Sequence, residues 1–368
     1  MDFAPVTVYL AVVSFSRLVL VLLVVCFSGC GRFAARRMAQ APNTYPAWLA
    51  PKAPVTLEFS DKILRVFPNQ YVEIPAPQAR IRYRIVDPAD YQFQWTNHLD
   101  EAHGQLDFSF TANISNLAER TNRWSEQPRG TVVLLHGYGV AGFAMLPWAL
   151  YLAQEGWRCV LVDLRGHGKS TGKQIYFTTQ EVRDMTALLD KLERDDRVAK
   201  PVSVLGDSYG AVLALRWKLN DARLDKVIAI SPYADLSSAV MNISRQYASW
   251  VPQFFIKAGL RKLPGLLHVE PNELNPETWI SAVSHNEPTT LFVAGGADKI
   301  APLAQVEQLY KLSGPDNKLL VVPNAAHEPL PFYLDNLADP VIRWFSNGAL
   351  AEHPEPKERL RNAFAGPP

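Results

Sequence analysis

Apolar residues from position 131 onward gather in short continuous runs, at 131–135, 159–163, 202–206, 226–232, 290–296 and 318–322. Runs that are apolar on both faces predict buried strands covered by helices on each side. Stretches with apolar positions at helical spacing lie between them, near 143–154, 179–193 and 303–312, and after the last, near 330–346. Strand and helix alternating in this way predict an α/β fold with a doubly wound, mostly parallel sheet. Upstream the period changes to two: Val72-Glu73-Ile74, Ile81-Arg82-Tyr83-Arg84-Ile85 and Leu106-Asp107-Phe108-Ser109-Phe110. These predict half-exposed antiparallel strands at the sheet edge. Residues 111–130 form a polar connector, and residues 235–285 interrupt the alternation with Trp250, Phe254, Phe255 and Trp279 among their apolar positions.

The first thirty residues follow a different logic. Arg17 precedes an apolar run from Leu18 to Phe27, the length of a signal-peptide core. That run ends in Phe27-Ser28-Gly29-Cys30, which resembles the lipidation signal of bacterial lipoproteins and marks Cys30 as the modified residue. The competing reading is an uncleaved anchor over residues 6–27. Either places the folded part outside the cytoplasm and on a membrane. Proline- and arginine-bearing residues 31–54 read as a tether, residues 55–346 as the folded domain and residues 347–368 as a polar tail. Cys159 then remains inside an apolar strand, so no disulfide framework is available and the thiol reads as core. A net charge of +1 with no basic cluster argues against a nucleic-acid partner.

Candidate chemistry centres on Gly206-Asp207-Ser208-Tyr209-Gly210. A strand ends at Gly206 and a helical pattern starts beyond Gly210, so G-x-S-x-G must make a sharp strand-to-helix reversal with Ser208 at its apex. The N–H of Tyr209 then opens a helix, where donor and dipole together favour a developing oxyanion. A nucleophilic serine needs a base and an acid to orient it, both just past strand carboxyl ends. Two histidines follow the 290–296 strand, and His353 belongs to the tail, which leaves His327. Asp298 follows the same strand directly and is selected as the acid, with Asp235, past the 226–232 strand, as its rival. The second oxyanion donor is expected from His136-Gly137-Tyr138-Gly139, at the N–H of Tyr138, with His136 packed beneath that loop. Arg165-Gly166-His167-Gly168-Lys169-Ser170 lacks the spacing of a phosphate-binding loop and reads as a structural turn.

With these elements in order, residues 130–346 resemble an α/β-hydrolase of the serine esterase, lysophospholipase and monoglyceride-lipase-like branch. The resemblance rests on the loop at His136, the run Asp163 to Ser170, the elbow at Ser208, Gly296-Ala297-Asp298 and Ala326-His327. It implies a helical cap over the site, and residues 235–285 occupy the place for one. The expected activity is hydrolysis of a carboxylic ester, acyl-chain or lysolipid-like, through an acyl-Ser208 intermediate, with no metal or organic cofactor required. Transfer of the same acyl group to an alcohol is one alternative. A non-catalytic binding lipoprotein on the membrane is another.

Overall fold

The computed structural model describes residues 30–45, 55–58, 66–100, 105–113, 121–282 and 289–349. The segment before Cys30 that was expected to be a targeting signal, and the tail expected beyond residue 349, lie outside them. Two sheets form. The larger has eight strands in the order β11-β10-β9-β8-β6-β7-β3-β2. Its six parallel members are β6 (Gly130–Leu135), β7 (Trp157–Val162), β8 (Val202–Asp207), β9 (Leu224–Ile230), β10 (Thr290–Gly295) and β11 (Lys318–Val322). At one edge β3 (Ala79–Val86) runs antiparallel to β7, and β2 (Gln70–Ile74) antiparallel to β3. The expected doubly wound, mostly parallel α/β sheet is therefore what the chain builds.

Helices cover both faces because the strands are apolar on both. The main ones after the first strand are α2 (Leu146–Gln154), α3 (Glu181–Arg194), α4 (Tyr209–Asn220), α5 (Leu236–Tyr247), α6 (Gln253–Leu267), α8 (Leu303–Leu312) and α9 (Leu334–Asn347), with a single turn α7 at Pro276–Trp279. One core layer joins Val133, Val204 and Phe292 to α3 and α4; the other joins Val132, Leu134 and Leu161 to α2 and α9. Trp148, Trp157, Trp217 and Trp344 are fully buried across the two layers, and Cys159 is buried as expected.

Two expectations need correction. The period-two strands do not all join the main sheet: β5 (Gln105–Asn113) pairs with β4 (Gln92–Asp100) and β1 (Val55–Glu58) in a separate three-stranded sheet. Strand β4 had no counterpart in the sequence reading, although Phe93 and Trp95 alternate with glutamine and threonine there. Its aromatic Phe93 stacks on Phe110 of β5 at 5.6 Å, so the small sheet has its own apolar layer.

The second correction concerns the tether. Residues 30–39 are helical (α1), and residues 30–45 pack on the domain rather than holding it at a distance. Ala35, Ala39 and Ala41 are buried. A Cβ placed on Gly259 of α6 would meet Ala34 Cβ at 2.8 Å and Met38 Cε at 2.9 Å, so the two helices cross in close contact. Ala34, Ala35, Met38 and Ala39 form one helical stripe that the neighbouring prolines and arginines obscure in the sequence. Beyond it, Gln40 bridges Gln174, and Asn43 Nδ2 donates to Ser170 O (2.8 Å). Among the described residues no helix is long and apolar enough to cross a membrane.

Candidate active site

The reversal between β8 and α4 is enforced sterically. A Cβ on Gly206 would stand 2.2 Å from Gly210 O, and one on Gly210 would stand 2.3 Å from Leu135 O. Only glycine at both positions lets α4 start this close to β6 and β8. Ser208 sits at the apex with φ 50°, a left-handed conformation that a serine adopts only when its surroundings compel it. Its N–H donates to Ile230 O (2.7 Å), tying the elbow to β9.

The three side chains selected from the sequence meet here. Ser208 Oγ lies 2.8 Å from His327 Nε2, and His327 Nδ1 lies 2.7 Å from Asp298 Oδ2. Asp298 is buried, and four donors hold it: His327, the hydroxyl of Ser231 at Oδ2 (2.9 Å), and the N–H groups of Ile300 and Ala301 at Oδ1 (2.8 Å each). Burial by itself lowers the His327 pKa, but the hydrogen bond and charge of Asp298 outweigh it and leave the imidazole above its ordinary value. The rival carboxylate is occupied elsewhere. Asp235 caps α5, accepting the N–H of Ser238 at 2.6 Å.

Tyr209 is the first residue of α4, and its N–H has no acceptor among the described residues. Tyr138 lies on the loop after β6, and its ring meets that of Tyr209 edge-on with centroids 6.4 Å apart. The two residues chosen for the oxyanion site are thus in contact through their rings, one on the loop after β6 and one at the start of α4. His136 is fully buried: its Nε2 accepts the N–H of Leu164 (3.0 Å) and its Nδ1 donates to Gly137 O (2.7 Å). It supports the loop, as expected. The run from Asp163 to Ser170 is structural too. Asp163 pairs with Arg82 in a buried ion pair and also accepts from the N–H of Gly142 and of Lys169. Arg165 forms a two-pronged pair with Asp184 at 2.6 and 2.7 Å, both side chains buried. Burial and the neighbouring His136 push His167 down to about 3, so it stays neutral.

Four residues at the site escaped the sequence reading. Ser231, also at positive φ, positions Asp298 from the end of β9; its place just past a strand was the available signal. Asp207 precedes the nucleophile, and its Oδ1 is enclosed with no hydrogen-bond partner among the described residues. Desolvation raises Asp207 to about 7, against the opposing pull of His327. A Cβ on Gly137 would come within 2.9 Å of Asp207 Oδ2, which is why the loop carries glycine there. Glu328 follows His327 and accepts from the hydroxyl of Tyr247 on α5, linking the inserted helices to the histidine loop. Tyr45, beyond α1, donates to Arg37 O (2.5 Å), and its hydroxyl lies 3.5 Å from that of Tyr138.

Known proteins share this fold. Residues 126–289 match the family model described as serine aminopeptidase, S33. An esterase of Pyrococcus furiosus superposes with a TM-score of 0.54 at 20% identity, covering 79% of this chain and 95% of the esterase. A hydrolase from Pseudomonas aeruginosa gives a TM-score of 0.50 at 16% identity, covering 76% and 98% of the two chains. The uncharacterized protein YqkD of Bacillus subtilis is 23% identical over 209 residues, which are 54% of this chain and 64% of YqkD. The match thus spans just under two thirds of that relative. The chain thus has the α/β-hydrolase fold of these structures, and the family match spans 126–289 of its 368 residues.

Proposed function

We propose that this protein is a serine hydrolase that cleaves carboxylic esters with an apolar acyl chain, lysolipid-like in size and polarity. The observation that carries the reading is the chain of contacts Ser208–His327–Asp298 at 2.8 and 2.7 Å. In the proposed cycle His327 Nε2 takes the Ser208 proton as Oγ attacks the ester carbonyl. The N–H groups of Tyr209 and Tyr138 stabilise the tetrahedral oxyanion. His327 then protonates the leaving alkoxide, and water, activated the same way, releases the acid from acyl-Ser208. Asp298 holds the imidazole in the tautomer with the proton on Nδ1 and stabilises its cation. The esterase name of the Pyrococcus neighbour supports an ester substrate.

Attachment to a membrane on its extracytoplasmic side, through lipid on Cys30 or through the apolar segment before it, belongs to the same proposal. It is supported by the run 18–27 and the Phe27-Ser28-Gly29-Cys30 sequence. The test is hydrolysis of p-nitrophenyl esters of graded chain length, with Ser208→Ala as control. Turnover that rises with acyl length and vanishes in the variant is expected. Full activity in Ser208→Ala would refute the assignment.

One observation favours a second reading. The carboxyl group of Glu328 lies beside His327, and a substrate with a free amino group would find a partner there. The aminopeptidase description of the matching family agrees with this. Aminoacyl p-nitroanilides, tried beside the esters, decide between the two.

A further inference from the structure

Charge is spread unevenly over this chain. Residues 30–45 and 236–267 together hold seven lysines and arginines and no aspartate or glutamate, whereas the whole chain has a net charge of +1. Everything outside those two stretches therefore carries a net −6. The stretches are distant in sequence and adjacent in space, since α1 crosses α6 in close contact at Gly259. None of the seven cations makes an ion pair with another described residue.

The same surface exposes apolar rings. Six large apolar side chains are exposed among the described residues, and the three aromatic ones all lie here: Phe33 (63%), Trp250 (78%) and Phe254 (50%). Phe254, Lys257 and Arg261 are spaced i, i+3, i+7, so they form one outward stripe of α6, and all three are exposed. On α1 the exposed residues are Arg32, Phe33, Arg36 and Arg37, while Ala35 and Ala39 face inward. Two grooves flank α6. One, of about 350 Å³, lies against α1 and is lined by Arg32, Arg36, Lys262 and Leu266. The other, of about 950 Å³, lies against α5, with Met241 and Leu260 beside Arg245, Lys257 and Arg261. Cationic rims over apolar linings match amphiphiles with anionic heads.

Chain continuity identifies the occupant. The apolar run 18–27 stands immediately before α1, so any membrane that receives it lies next to this face. We infer that the face built from α1, the α5–α6 turn and α6 lies on the surface of a bilayer containing anionic phospholipid. Trp250, Phe254 and Phe33 enter the headgroup layer, where aromatic rings favour the boundary between water and hydrocarbon. The seven cations meet lipid phosphates. This contact needs no modification of Cys30 and does not depend on the chemistry of the triad. It would bring α5, whose Tyr247 bonds Glu328 beside His327, against the lipid surface.

The test uses the full chain reconstituted with phosphatidylcholine vesicles, or with vesicles in which phosphatidylglycerol replaces part of that lipid. Both carry a nitroxide quencher high in the acyl chain. The difference between the wild type and Trp250→Phe isolates the fluorescence of Trp250. Strong quenching of Trp250 is expected on the anionic vesicles and little on the neutral ones. Each cation contributes roughly a fivefold gain in partitioning onto an anionic surface. Lys257→Glu combined with Arg261→Glu should then lower the docked-to-undocked ratio by about a hundredfold or more, with an unchanged melting temperature certifying the fold. Chains that sit on the vesicles with Trp250 unquenched would show attachment through the N-terminus alone and overturn the inference. Equal quenching on neutral vesicles, or in the doubly reversed variant, would overturn it as well. Chains that stay off both kinds of vesicle would sink it together with the attachment reading.

Discussion

Asp298→Asn is the most discriminating change available, because the hydrogen bonds around Asp298 dictate how an amide must sit. Oδ1 accepts two backbone N–H groups, from Ile300 and Ala301 at 2.8 Å each. An asparagine must leave its oxygen there, since an NH2 facing two donors would bury unpaired protons. The NH2 then takes the place of Oδ2, facing His327 Nδ1 (2.7 Å) and the hydroxyl of Ser231 (2.9 Å). Ser231 can turn its hydroxyl to accept. His327 Nδ1 can accept only by giving up its proton, which moves the imidazole hydrogen to Nε2, opposite Ser208. An imidazole protonated at Nε2 cannot take the serine proton. General-base catalysis is lost, a fall of about 10³ to 10⁴ in kcat/KM. Exchanging a charge-assisted bond for a neutral one should cost the fold only about 1–2 kcal/mol. Turnover of a p-nitrophenyl ester, the rate of labelling by a fluorophosphonate and a thermal melt read the three quantities. Turnover within tenfold of the wild type would show that Asp298 does not set the tautomer, and the reasoning would fail.

Further outcomes follow from other parts of the structure. His327 is raised above its ordinary value, and catalysis needs it neutral. The acid limb of kcat/KM against pH should therefore lie above 6.5, with activity lost as pH falls through it; a limb below 6.5 contradicts the Asp298 contribution. Glu181 is fully buried and desolvation raises it from 4.5 to about 7, so the folded state favours its neutral form and stability declines as pH rises through that window. Glu181→Gln should remove a penalty of about 3 kcal/mol above pH 7, raising the melting temperature by several degrees at pH 8 and hardly at all at pH 4. Asp184→Ala leaves Arg165 charged and buried without its partner, and denaturant titration should show a loss of about 3–5 kcal/mol. Pairing it with Arg165→Met should restore much of that loss.

How far the residues alone could be read follows from the range of each interaction. Continuous apolar runs and the contact of Gly206 with Gly210 act within a few residues, so they determined the sheet strands and the elbow without reference to anything distant. The placing of Ser208, Asp298 and His327 just past strand ends is likewise local, which is why all three could be named beforehand. What Asp298 and its rival Asp235 each bond to was not local. It depended on the pairing of β9 with β10, which sets Ser231 beside Asp298, and on Asp235 being taken up as the cap of α5. The same holds for α1, whose alanine stripe has meaning only against Gly259, more than two hundred residues on. Strand β4 and its separate sheet depended on partners as well, since a short alternating run says nothing about which edge it joins. Hydrophobic patterning specifies what must be buried, and packing alone decides against what.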